Sequence, residues 1–189
     1  MTQRSLLPLL ILNLLLPGCQ HTASADHSLR TAARAGNLQA IEQGETVNPP
    51  PGLNQTPLGH LLHQYKRSNT TQQLEIEQAA TYLLDMGADP NALHHGFTPL
   101  QIAAGQGSIA LISLLIERGG DPSLETAAGL APIWQAVFDN DFRVAYELLR
   151  SGANPNALNE SGQTPLEYLR AQGHTKTRIM LYLRRFGGH

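Results

Sequence analysis

The sequence predicts an all-α fold, a solenoid of about five helix-turn-helix units with short β-turn or hairpin connections. Three observations lead there. The triplet Thr-Pro-Leu or a close variant starts at Thr56, Thr98, Ala131 and Thr164, at separations of 42, 33 and 33 residues. A glycine-led stop and turn recurs in a second register, at Gly87-Ala88-Asp89-Pro90, Gly119-Gly120-Asp121-Pro122 and Gly152-Ala153-Asn154-Pro155, separated by 32 and 33. Counting back from each closing glycine by three, four, seven and eight residues gives an apolar stripe. It is Leu84, Leu83, Ala80 and Ala79, then Ile116, Leu115, Ile112 and Leu111, then Leu149, Leu148, Ala145 and Val144. Two signals at one period mark a repeat architecture, and the stripe is the core face of one helix in each repeat.

The first element stands apart from that array. Arg4 is the only charge in residues 1–18, and an apolar run of about eleven residues extends from Leu6 to Leu16. A bilayer-spanning helix needs about twenty, so residues 1–18 read as an export signal peptide outside the fold. Leu16-Pro17-Gly18-Cys19 then resembles a bacterial lipobox, in which a small residue precedes a cysteine that is lipidated and becomes the mature N-terminus. Cys19 is the only cysteine, so no intramolecular disulfide can form. The resemblance implies lipidation at Cys19 and a place in the bacterial cell envelope. Several acyl chains on one residue exceed what stable anchoring requires. Gln20, where an Asp is absent, implies the outer membrane, facing the periplasm. An ordinary cleaved signal or an uncleaved anchor are the competing readings. Residues 19–27 carry no apolar pattern beyond the cysteine and read as a flexible tether.

The repeat domain is expected over 28–189, with units at about 28–55, 56–97, 98–130, 131–163 and 164–189. The first ends in Gly44 to Gln55, where Pro49, Pro50 and Pro51 predict a rigid extended spacer. In each later unit Pro occupies the first helical position, and in all but the fourth, where Ala131 stands, Thr caps the free amides at the helix start. The second unit is longer by ten polar residues, 66–75, which predict an exposed loop or a solvent-facing helix extension. Such insertions often carry binding, and a tolerated surface bulge is the alternative. In the last unit the stripe reads Arg184, Leu183, Met180 and Ile179. A charge at one core position predicts a final helix with one face in water.

Thr-Pro-Leu, Ala-Ala, Leu-Leu and Gly-Ala-Asp at these offsets resemble the ankyrin repeat, a β-turn and two antiparallel helices in about 33 residues. The family's histidine after Thr-Pro-Leu is replaced by Gly59, Gln101, Trp134 and Glu167, so its interlocking hydrogen bonds must be missing or remade. The resemblance implies a protein-binding module whose partner contacts the turn tips and the exposed side of the inner helices. Carried over residue by residue, those positions are His63, Gln64, His94, His95, Phe97, Gln106, Glu125, Leu130, Trp134, Phe138 and Asp139, with Glu160, Gln163 and Gln172 in the last unit. Phe97, Leu130, Trp134 and Phe138 are the expected anchors, since large apolar side chains at exposed positions mark interfaces. Burial of Trp134 in the space of the missing histidine is the alternative.

Composition excludes little: 41% hydrophobic, 15% charged, formal net charge −2. No nucleic-acid partner is expected. Between Glu75 and Glu147 there are ten acidic residues and two arginines, whereas Arg170, Lys176, Arg178, Arg184 and Arg185 make the last unit basic. A basic partner for the middle and an anionic surface for the end would follow, or merely solvated faces and a basic cap. His60, His63, His94 and His95 could converge between units, but no cysteine or H-E-x-x-H accompanies them, so no metal or cofactor is assigned. No nucleophile elbow, phosphate loop or carboxylate pair suggests an enzyme. The function expected is binding of another protein by a monomeric, membrane-tethered array. It would act either as an inhibitor or immunity protein of an envelope-acting toxin or enzyme, or as a scaffold without inhibitory activity.

Overall fold

Residues Asn48, 56–67, 70–126, 129–174 and 177–189 are described by a computed structural model. The signal peptide, Cys19, the tether and the first unit apart from Asn48 lie outside the described residues. Helices come in pairs: α1 (Pro57–His63) and α2 (Thr70–Asp85), α3 (Pro99–Gln106) and α4 (Ile109–Glu117), α5 (Pro132–Phe138) and α6 (Phe142–Arg150), α7 (Pro165–Ala171) and α8 (Arg178–Arg185). The first helices of the pairs pack in series as an inner layer, and α2, α4, α6 and α8 pack in series as an outer layer. Among the described residues there is no strand, and one isolated antiparallel bridge joins His94 to Phe97. No described helix is long and apolar enough to cross a membrane.

Each inner helix begins where the triplet does. The hydroxyl of Thr56 accepts from the Gly59 amide at 3.0 Å, that of Thr98 from Gln101 at 3.1 Å and that of Thr164 from Glu167 at 3.3 Å. Ala131 has no side-chain cap, and there Pro132 alone sets the first turn. Outer helices are capped by Ser108, Asp141 and Thr177. They end at Gly87, Gly119, Gly152 and Gly187, whose φ angles of 90° to 99° only glycine adopts cheaply.

The apolar stripe on each outer helix is the core. Leu83, Leu84, Leu111, Ile112, Leu115, Val144, Leu148, Leu149, Ile179, Met180 and Leu183 are all buried, and Ile116 packs half-buried against them. Arg184, at the position of Leu84 in the last unit, is exposed as expected. The polar insertion is a helix extension. A 3-10 turn at Tyr65–Arg67 leads into α2, which has 16 residues where α4 and α6 have 9. The Tyr65 hydroxyl ties the turn to α2 by donating to Glu77 Oε1 at 2.7 Å.

The units are also linked by a ladder of side-chain bonds. In every turn an Asn or Ser side chain donates to the carbonyl of the next unit's closing glycine: Asn48 to Gly87, Asn91 to Gly119, Ser123 to Gly152 and Asn156 to Gly187, at 2.9 to 3.3 Å. The same side chains accept from the amides of Asp89, Asp121, Asn154 and His189. Each rung therefore satisfies the closing glycine's carbonyl and one amide of the turn that follows it. Asn48 takes the first rung among the described residues.

Candidate functional site

The position after each Thr-Pro-Leu decides how the inner surface is built, and the four units solve it differently. Gly59 leaves a gap that His94, from the turn before the next inner helix, fills; a side chain at Gly59 would collide with that imidazole. The Thr56 amide donates to His94 Nδ1 at 2.9 Å. Gln101 bridges the start of α3 to the segment just before α5, its Oε1 accepting from the Thr98 amide at 2.8 Å and its Nε2 donating to the Leu130 carbonyl at 2.7 Å. Trp134 Nε1 donates to the Ala157 carbonyl of the next turn at 3.1 Å. Glu167 Oε2 accepts from the Thr164 amide at 2.8 Å, and that bond holds its carboxyl below the usual range. The interlocking bonds are thus remade, each by a different side chain.

Two of the expected contact residues are consequently not on the surface. Trp134 is 0% exposed and His94 is 2% exposed. A large ring and a bridging imidazole at these places support the array from within, because each satisfies a backbone group far along the chain. Burial is the main force lowering the His94 pKa from 6.5 to about 4, with the adjacent His95, His63 and His60 adding to it. The four histidines do converge: the His94 ring centroid lies 4.5 Å from that of His95, 5.4 Å from His63 and 6.4 Å from His60. No group of three or more His, Cys, Asp or Glu among the described residues is arranged to hold a metal ion.

The remaining candidates form an accessible surface along the inner layer and the turn tips. Phe97 and Phe138 are each 47% exposed. His63, His95, Glu125, Asp139, Glu160 and Gln172 are exposed, and Gln64, Gln106, Leu130 and Gln163 half-buried. His95 (φ 51°) and Gly96 (φ 85°) make the tight turn that projects Phe97 outward. Gln106 Oε1 accepts from the Lys66 amide at 3.1 Å, and Asp139 Oδ2 accepts from Gln135 Nε2 at 2.9 Å. Phe138 lies in an aromatic triangle with the buried Trp134 and with Tyr168, centroids 5.5 to 5.6 Å apart. No ring contact among the described residues joins Phe97 to that triangle. Tyr168 was not among the expected residues; its signal is a position four after Thr164, on the same helix face as α5's Gln135.

Comparison with known proteins agrees with this architecture. Residues 77–116 match the family described as ankyrin repeats (many copies). Mouse cyclin-dependent kinase 4 inhibitor B is 33% identical over 94 residues, covering 49% of this chain and 72% of that protein. The chain belongs to the ankyrin-repeat family. Bovine mitochondrial disaggregase is 32% identical over 157 residues, 78% of this chain but 22% of that protein, and the human disaggregase is 28% identical over 25% of its length. The chain therefore spans about a quarter of the length of these disaggregases. Ankyrin repeats are protein-interaction modules.

Proposed function

We propose that this ankyrin array binds one protein partner through Phe97, Phe138, His95, Leu130 and the carboxylates of Glu125 and Asp139, and acts by occluding that partner. The observation that carries the reading is the pair of phenylalanines held half-exposed by a rigid turn and by an aromatic triangle. Apolar rings that the fold supports but does not cover are the usual anchors of an interface, and a stiff array loses little conformational entropy on binding. The acidic middle of the chain favours a partner with a basic rim. A relative of comparable repeat length is by name a kinase inhibitor, which favours inhibition over scaffolding.

The partner belongs to the bacterial envelope if Cys19 carries the lipid, and the proposed address is the periplasmic side of the outer membrane. Support comes from the apolar run Leu6 to Leu16 and the sole cysteine after Gly18. Two experiments test the two halves. Cys19→Ala is expected to release the protein from the membrane fraction; persistence there would refute the lipid assignment. Capture from an envelope extract by the unaltered chain and by Phe97→Asp/Phe138→Asp is expected to yield an enzyme or toxin held only by the former and inactivated by it. A partner retained by the double variant, or bound without loss of activity, would overturn the occlusion reading.

A further inference from the structure

Arginines and apolar side chains alternate along the last two helices of the outer layer. On α6, Arg143, Tyr146 and Arg150 are spaced by three and four residues and all three are exposed, so they share one face. On α8 the same spacing aligns Arg178, Leu181, Tyr182 and Arg185, with Leu181 65% exposed. The two helices pack side by side. Tyr146 joins them, its ring 5.0 Å from Tyr182 and 6.2 Å from Phe186, and the Arg178 guanidinium lies 4.8 Å from the Phe142 ring centroid. The result is a patch of rings and one protruding leucine framed by Arg143, Arg150, Arg178, Arg184 and Arg185.

Two carboxylates face that frame. Glu147 is 7% exposed and bonded to Arg150 at 2.6 Å and to the Ser113 hydroxyl at 3.2 Å. Asp141 caps α6 and lies 3.6 Å from Arg143. Five guanidiniums against two carboxylates leave a net positive face. The other half of the outer layer has the opposite character: Asp85 and Glu117 are exposed there, and Arg118 is tied to Asp85 at 3.1 Å. The whole chain has formal net charge −2, so an anionic surface favours this basic face over the acidic half of the outer layer and orients the molecule.

We propose that the α6–α8 outer face docks on an anionic lipid surface. Guanidiniums pair bidentately with lipid phosphates, and basic side chains near an anionic leaflet strengthen adsorption additively. Tyrosine rings suit the headgroup depth, with an apolar body and a polar tip. Leu181, exposed between Arg178 and Arg185 on α8, has no use on a nucleic-acid backbone but inserts between acyl chains. The proposal concerns a face separate from the inner surface and stands whether or not Cys19 carries a lipid.

The test uses the full chain with Cys19→Ala, partitioned onto phosphatidylcholine vesicles with and without phosphatidylglycerol. Because every variant keeps the same N-terminal segment, the quantity read is the ratio of the two affinities. The expected ratio is at least about tenfold at low salt and close to one at high salt. Arg143→Gln/Arg178→Gln/Arg184→Gln/Arg185→Gln, which removes no buried partner, is expected to abolish the preference with helicity unchanged. Leu181→Ser is expected to weaken anionic binding severalfold while leaving its salt dependence. Equal binding to both vesicles, a preference surviving the four substitutions, or indifference to Leu181→Ser overturns the proposal. Binding of a short DNA duplex in place of vesicles, with the same arginine dependence, would reassign the face to nucleic acid.

Discussion

His94 shows what one residue does in this array. Its imidazole is buried over Gly59, accepts from the Thr56 amide, and is held to a pKa of about 4 chiefly by burial, with His95, His63 and His60 close by. The unfolded chain binds the proton at about 6.5 and the folded chain only near 4. Stability from neutral His94 is therefore complete above about pH 6.5 and is lost as the pH falls toward 4. The loss amounts to about 3 kcal/mol at most. Urea unfolding between those limits is expected to show it, and His94→Ala to flatten the slope while lowering stability at neutral pH. A second outcome follows from the geometry. Gly59→His, which restores the family's residue, is expected to destabilise the protein alone but to be tolerated with His94→Ala. The coupling in a double-mutant cycle is expected to exceed about 2 kcal/mol. That the histidine was missing could be read from the sequence. That its replacement comes from His94, 38 residues after the Thr56 amide it bonds, could not, because a side chain reaching from the next turn leaves no local pattern.

At the scale of helices and turns, most of the structure was legible, because its signals are local. Thr-Pro starts, closing glycines and the outer-helix stripe each depend on neighbours within a turn or two. The insertion resolved into a 3-10 turn and a longer α2, one of the two forms its polarity allowed. For Trp134 the sequence left surface and core both open because α5 offers the ring two environments, and only the Ala157 carbonyl and Tyr168 settle between them in favour of burial. The rung residues were missed for the same reason: Asn91 looks like an ordinary turn residue until Gly119 is placed beside it. Asn91→Ala is expected to cost about 1–2 kcal/mol. Amide exchange at Asp121, which donates to Asn91 Oδ1 at 2.8 Å, is expected to rise. Asn91→Asp keeps the acceptor and is expected to protect that amide while still losing the bond to the Gly119 carbonyl. Equal exchange in both variants would mean the rung is not what closes the turn.

For the whole molecule, these links make the array cooperative only through neighbours, since each unit touches the one before and the one after. In the inner layer, the joint between the fourth and last units rests on Trp134, whose Nε1 reaches the Ala157 carbonyl and whose ring meets Tyr168 at 5.6 Å. Its own α5 has no side-chain cap at Ala131, so the joint lacks the reinforcement that Thr98 and Gln101 give the preceding one. Trp134→Ala opens a large cavity and leaves the Ala157 carbonyl without its donor, a loss of about 3–5 kcal/mol. Placed at a joint, that loss is expected to separate the transition into two. Hydrogen exchange across 164–189 should then report opening at lower denaturant than exchange across 98–117, whereas the unaltered chain should show both segments opening together. The same variant weakens the support under Phe138, so partner binding is expected to fall although Trp134 touches no partner. If binding fell while exchange across 164–189 stayed as in the unaltered chain, Trp134 would instead belong to the contact surface, and its burial in the free array would have to be relieved on binding.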